Sequence, residues 1–389
     1  MNKRTIIYFL PDEALGVASI VKNLLEFRER HSDIYYKVIL TRQIEREAQH
    51  IDYDFDVNEQ IVFKYSGDDN LVTVFKRLKH YIPDEQTILV ANDGLELRMI
   101  NYFKLNNPLI YIIHGDFDYY YKISKLYQGI IDKIISYSLY TKYQLTQQLL
   151  KENIPKVELL YYPVPEKVNK VKLEKTIDLL FVGAFVKRKG VQFLPEIYER
   201  VKAKLGEVSF ALAGFGSMED ELKSNFNNES SVAFLGKLSN EDVFKTMSNS
   251  KILIFPSLSE GLPNVVVEAM KSQCVPICSD INSGIPDLID DGVEGFRVAV
   301  GDVTNFASRI ITLLKDEQLR SSMALNAAKK AHYMFEPLRN AAKYERAILE
   351  TVPLNKYYVK GDLGRLLNHP LLPNVIVRNL RKLRLSSKL

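Results

Sequence analysis

Short apolar runs rich in β-branched and aromatic residues alternate along the chain with stretches whose apolar positions recur at helical spacing. In the first 160 residues, Thr5–Leu10, Tyr36–Leu40, Thr87–Ala91, Leu109–Ile113, Lys133–Tyr137 and Val157–Leu160 read as strands. Ala18–Arg30, Leu71–Tyr81 and Leu139–Glu152 read as helices between them. The strands are almost continuously Ile, Val, Leu and Tyr, as expected where helices cover both faces of a parallel sheet. A polar, lysine-rich segment, Pro163–Thr176, interrupts the alternation, which then restarts. Strands are expected at 177–185, 208–214, 232–238, 251–257 and 274–280, with helices at 190–205, 240–250, 263–272, 305–316 and 317–333. The pattern predicts α/β architecture with two doubly wound Rossmann-like domains. We expect 1–165 as the first domain, 166–335 as the second, and 336–389 as C-terminal helices with a basic tail.

A chain of 389 residues is long enough for about two domains. With 46% hydrophobic and 26% charged residues its composition is that of a globular protein. No apolar stretch reaches the roughly 18 residues of a membrane span, and the apolar segment after the first basic residues is too short for a secretory signal. A cytoplasmic location is expected. The two cysteines, Cys274 and Cys278, lie four apart in a strand-like stretch. That is not a zinc spacing, and buried reduced thiols are the better reading. The net charge of +4 is unevenly placed. Lys and Arg number 20 against 22 acids in 1–165, 24 against 25 in 166–352, and 8 against 1 in 353–389. Both bodies are slightly acidic, which argues against a nucleic-acid partner.

In open α/β sheets ligands sit beyond the carboxyl ends of the strands, and unusual residues fall there. "LLFVGAFVKRKG" (Leu179–Gly190) places three cations, Lys187 to Lys189, between a strand and a helix, suiting either a phosphate or a solvated turn. "ALAGFGSMEDEL" (Ala211–Leu222) puts Gly214 and Gly216 after a strand, for close approach to a ligand or a plain tight turn. No G-x-G-x-x-G occurs, which weakens nicotinamide or flavin chemistry. "SEGLPNVVVEAM" starts a helix near Pro263, with Glu260 in the preceding loop and Glu268 about a turn and a half in. A carboxylate there can accept from a vicinal diol, or simply pair with Lys271. After a further strand, Gly284 and Ile285 can present amides to a ligand. In the first domain, His114 follows a strand beside Gly115 and an aromatic patch, and Gly16 lies in the first strand-to-helix turn. Each taken singly has a structural explanation.

Together these stretches resemble the retaining glycosyltransferases of family 4, the bacterial-type glycosyl transferase group 1. The E-x7-E pair Glu260 and Glu268, "VGAFVKRKG", "AGFGSMEDEL", "VAFLGK" and "SDINSGIPDLIDDGVEGF" carry the resemblance, strongest over 178–345. It implies the GT-B architecture, two facing Rossmann-like domains with a cleft between them. It implies a nucleotide-sugar, a UDP-sugar, as substrate, no cofactor and no metal. Catalytic roles fall on Glu260 (donor-sugar hydroxyls), His114 (donor sugar near the anomeric carbon) and Lys189 (diphosphate). Glu268 would bind the ribose, while Arg188, Gly16, Gly214, Gly216, Lys237, Gly261, Leu262 and Asn264 would complete the donor site. The acceptor would be a saccharide or lipid-linked saccharide, in cell-surface polysaccharide or glycolipid synthesis. One departure stands out: the family usually has Arg after the glycine of its first motif, and here that residue is Ala184. A nucleotide-sugar epimerase of the same fold, or a catalytically degenerate nucleotide- or carbohydrate-binding module, are the alternatives. In the tail, Val375, Ile376, Leu380 and Leu383 approximate one helical face. Residues 374–389 could therefore rest on the inner face of the cell membrane, or pack on the first domain.

Overall fold

The structure is a computed structural model and describes residues 3–12, 16–49, 53–165, 174–226, 229–361 and 367–386; the side chains of 47–49 and 382–386 are not described. Most of the lysine-rich segment between the domains, 166–173, lies outside the described residues, as does the end of the basic tail. The chain divides into two compact units, one of Met1–Tyr137, Lys142–Pro163 and Leu338–Leu389, the other of Ser138–Thr141 and Val164–Pro337.

The first unit is built on seven strands: β1 (Arg4–Pro11), β2 (Ile34–Gln43), β3 (Glu59–Tyr65), β4 (Ile88–Ala91), β5 (Leu109–Ile112), β6 (Lys133–Ser136) and β7 (Val157–Leu159). They form one parallel sheet in the order β3-β2-β1-β4-β5-β6-β7. Helices α1 (Gly16–Glu26), α2 (Leu71–Lys79), α3 (Gly94–Phe103), α4 (Asp118–Tyr127) and, from Lys142 onward, α5 (Leu139–Gln148) alternate with them. Every residue of β4 and β5 is buried, which is why those segments are continuously apolar. The pattern did not predict β3, α3 or α4. β3 is an edge strand whose residues alternate in exposure, so charged Glu59 and Lys64 interrupt its apolar run. The α3 start carries a capping box between Asp93 and Glu96, the D-x-x-E signature of a helix start.

In the second unit β8 (Ile177–Val182), β9 (Phe210–Ala213), β10 (Val232–Gly236), β11 (Ser250–Phe255), β12 (Val275–Ser279) and β13 (Phe296–Val298) form a parallel sheet. Their order is β10-β9-β8-β11-β12-β13. Helices α6 (Leu194–Leu205), α7 (Glu219–Asn225), α8 (Asn240–Ser248), α9 (Asn264–Lys271), α10 (Ile285–Leu288), α11 (Val303–Lys315) and α12 (Glu317–Met334) complete it. The stretch 190–205 is not one helix. Gly190 has φ of 72° and separates two 3-10 turns, 187–189 and 191–193, so α6 starts only at Leu194. A left-handed residue cannot continue a right-handed helix. Phe185, just past β8, is fully buried; its ring lies 6.0 Å from Phe181 and 6.2 Å from Phe234. Burying such a side chain stabilises by roughly 1.5–3 kcal/mol and fixes the root of the β8 loop.

From Leu338 onward the chain returns to the first unit. Tyr344 in α13 (Pro337–Leu349) donates to the Leu160 carbonyl at 2.9 Å, and Lys356 pairs with buried Asp132 at 3.0 Å. The last helix, α14 (Asn374–Ser386), docks through Arg378, 2.6 Å from Asp69, and through Arg381, which donates to the Gly67 and Asp69 carbonyls. Val377 is buried, while Val375, Ile376 and Leu380 face outward. Cys274 and Cys278 are free and buried, and burial pushes Cys274 up to about 12.

Candidate functional site

In each sheet the chain builds outward from its first strand in one direction and then in the other. The reversal falls between β8 and β11 in the second unit, and between β1 and β4 in the first. Loops leaving the carboxyl ends of such a pair diverge and leave room for a ligand.

At the β8/β11 switch point the two loops are laced together. Leu258 N–H donates to the Arg188 carbonyl at 2.8 Å, and the Arg188 guanidinium donates to the Ser259 carbonyl at 2.8 Å. The turn at Gly190 presses on the β11 loop so closely that a Cβ there would lie 1.9 Å from the Pro256 oxygen. This lacing brings three of the sequence-predicted residues to one point. Lys189 Nζ lies 2.7 Å from Glu260 Oε1, and Arg188 reaches the same oxygen at 3.1 Å. Glu260 is 8% exposed, so its charge is largely withdrawn from water and met by two cations. Lys189 also lies 5.5 Å from the centre of the Phe255 ring. Residue 184 itself is alanine, yet Arg188, four residues on, stands at this cluster.

Glu268 is the fifth residue of α9, whose Val266, Val267, Ala269 and Met270 are buried. Its carboxyl makes no hydrogen bond or ion pair among the described residues. The pairing with Lys271 does not form: Lys271 donates instead to the carbonyls of Val164 and Phe335, at 2.7 and 2.9 Å. Glu268 is partly exposed, but enough protein surrounds it that desolvation pushes its pKa up to about 7. Gly261 and Leu262 precede the helix and Asn264 opens it; the Gly261 carbonyl accepts from Gly284 N–H at 2.9 Å.

The close approach at Gly214 and Gly216 is to the chain itself. A Cβ on Gly214 would stand 1.9 Å from the Gly183 oxygen, and one on Gly216 would stand 2.5 Å from the Phe185 oxygen. These glycines seat the β9 loop against the β8 loop. Lys237 lies beyond β10 with its ammonium 5.9 Å from the centre of the exposed Phe215 ring.

His114 and Gly16 belong to the first unit. Gly16 opens α1, and among the described residues no atom beyond its chain neighbours and its own helix backbone lies within 4 Å of where its Cβ would be. His114 follows β5, and its Nε2 lies 2.6 Å from Oδ1 of Asn92, the residue after β4. Desolvation lowers its pKa to about 3, so it is neutral. Asn92 did not stand out in the sequence. Its signal is a polar residue directly closing an apolar strand and preceding the D-x-x-E helix start.

Residues 164–330 match the family described as glycosyl transferases group 1. The second unit is a group 1 glycosyltransferase domain. Among the relatives of this chain is an uncharacterized glycosyltransferase of Methanocaldococcus jannaschii, 29% identical over 281 residues, covering 68% of this chain and 76% of the relative. The capsular polysaccharide biosynthesis glycosyltransferase CapM of Staphylococcus aureus is 27% identical over 297 residues, 68% of this chain and 75% of CapM. The solved structure of HepE from Anabaena in complex with UDP superposes with a TM-score of 0.69 at 17% identity, covering 89% of this chain and 99% of HepE. At that identity the likeness speaks for the fold. The group 1 domain and its partner unit have the GT-B fold, two Rossmann-like parallel sheets with alternating helices.

Proposed function

We propose that the chain transfers a sugar from a UDP-sugar to a saccharide or lipid-linked saccharide acceptor, with retention of configuration and without a metal ion. The observation that carries this reading is the convergence of Lys189 and Arg188 on Glu260 at the switch point of the group 1 domain. Two fixed cations there suit a diphosphate, whose developing charge they would stabilise as it departs. Arg188 would supply the second cation in place of the arginine that Ala184 replaces. In its ionised form Glu268, which has no competing partner among the described residues, would accept from the ribose hydroxyls. Glu260 would turn to the donor-sugar hydroxyls once a diphosphate occupies its cations. Gly261, Leu262 and Asn264 would place backbone groups at the phosphates, and Lys237 would line the nucleotide pocket beside the Gly214–Gly216 loop. His114 and Gly16 are assigned donor contacts by the family resemblance alone.

In the proposed reaction the anomeric C–O bond to the diphosphate breaks and its electrons leave with the phosphate oxygen. The acceptor oxygen bonds to the anomeric carbon on the same face, and its proton passes to that phosphate oxygen. The relatives' names support cell-surface polysaccharide or glycolipid synthesis as the setting. For an acceptor carried on a lipid, the outward-facing Val375, Ile376 and Leu380 of α14 would rest on the cytoplasmic face of the membrane. Flotation with anionic vesicles tests that contact: Ile376→Glu with Leu380→Glu should abolish binding, and unchanged binding would remove it. Mass spectrometry of products from UDP-, GDP- and ADP-sugars with mixed acceptor glycans tests the transfer. An acceptor heavier by one sugar is expected, with the anomeric configuration of the donor. An isomerised nucleotide-sugar would favour an epimerase instead.

A further inference from the structure

In the first unit the carboxyl ends of β1, β4 and β5 are joined by a hydrogen-bond chain whose direction follows from the chemistry of its members. The main-chain oxygen of Phe9 can only accept. It lies 2.8 Å from Nδ2 of Asn92, and the Val90 carbonyl lies on the same nitrogen at 3.5 Å, so that side of the amide is the NH2 group. Oδ1 of Asn92 therefore faces His114, 2.6 Å from Nε2. An amide oxygen also only accepts, so Nε2 carries a proton. With the imidazole neutral, Nδ1 holds a lone pair and no proton. Nδ1 has no partner among the described residues. Asn92 is held in turn, since its N–H and that of Asp93 donate to Oε1 of buried Glu96 at 2.8 and 2.7 Å.

We propose that Asn92 is a positioning residue that fixes His114 as the Nε2–H tautomer, leaving Nδ1 as a hydrogen-bond acceptor for a hydroxyl of the sugar substrate. The substrate half of this statement rests on the donor-sugar role proposed for His114; the tautomer half does not. The chemistry is selective. A bare Nδ1 accepts from a hydroxyl, is repelled by a phosphate or carbonyl oxygen, and cannot protonate a leaving group. The Phe9 carbonyl ties this choice to the end of β1, so the sheet itself sets which ring nitrogen faces outward.

The test uses the full chain labelled with 15N-histidine, with His114→Asn identifying the His114 signals. At pH 7 long-range proton–nitrogen spectra should show the Nε2–H form. Asn92→Ala should move His114 to the other tautomer or a mixture, raise the KM for the UDP-sugar about tenfold, and leave UDP affinity within about twofold. His114→Asn keeps an oxygen near the place of Nδ1 and should retain more donor affinity than His114→Phe. A wild-type Nδ1–H tautomer overturns the proposal, whether or not Asn92→Ala folds. An unchanged tautomer in Asn92→Ala overturns the positioning role, even with normal turnover. A donor KM unaltered in His114→Phe overturns the hydroxyl contact and the donor role of His114, with the tautomer result unaffected.

Discussion

At Glu260 one carboxylate oxygen holds two cations, 2.7 Å from Lys189 and 3.1 Å from Arg188. This carboxylate engages the two cations that the proposed diphosphate would need. Glu260→Gln should therefore leave UDP affinity unchanged or higher by calorimetry, while turnover falls roughly tenfold to a hundredfold through the lost charged hydrogen bond to the sugar. Loss of UDP affinity instead would place Glu260 among the nucleotide contacts. Glu268 behaves differently because nothing among the described residues pairs with it. Its pKa of about 7 makes it mostly protonated at pH 6 and mostly ionised at pH 8. If the ionised form accepts from ribose, UDP affinity rises across that interval by up to about tenfold beyond the rise seen in Glu268→Gln. Parallel slopes in the two proteins would contradict the ribose role. The stability effect has the opposite sign. With its pKa raised, the carboxyl binds more protons folded than unfolded, so its contribution to stability falls as pH climbs from the ordinary carboxylate range through 7.

Between elements, the site depends on how tightly the β8 and β11 loops approach. Gly190 combines a φ of 72° with a Cβ position 1.9 Å from the Pro256 oxygen, whereas Gly236, with φ of 64°, has nothing within 4 Å. Gly236→Ala should incur only the left-handed backbone cost, about 1–2 kcal/mol. Gly190→Ala should lower the melting temperature further and abolish stabilisation by UDP, because the Lys189–Glu260 pair shares that turn; equal effects would contradict this coupling. Much at this scale was legible in the sequence. Strands such as β4 and β5 are buried on both faces and therefore read as apolar runs. What escaped had a physical reason: β3 is an exposed edge, β13 has only three residues, and the expected helix 190–205 opens on left-handed Gly190 and a 3-10 turn, 191–193, before α6. The spacing of Glu260 and Glu268 was visible, but the charge cluster was not, since Lys189 and Glu260 are brought together only by the parallel pairing of β8 with β11. Asn92 was missed because its meaning lies in its contacts with Phe9 and His114.

For the whole molecule, two sheets with the same reversal of strand order each carry polar side chains at their switch points, cations and a carboxylate in one, a neutral histidine held by an amide in the other. The most direct measurement is nucleoside-diphosphate release from UDP-sugars in the presence of EDTA and mixed acceptor glycans, comparing the wild-type chain with Lys189→Ala. Metal-independent release of UDP matched by a glycosylated product is expected, slowed about a hundredfold or more in Lys189→Ala. Release at the same rate in Lys189→Ala, or no release from any donor by a chain that still binds UDP, would contradict it.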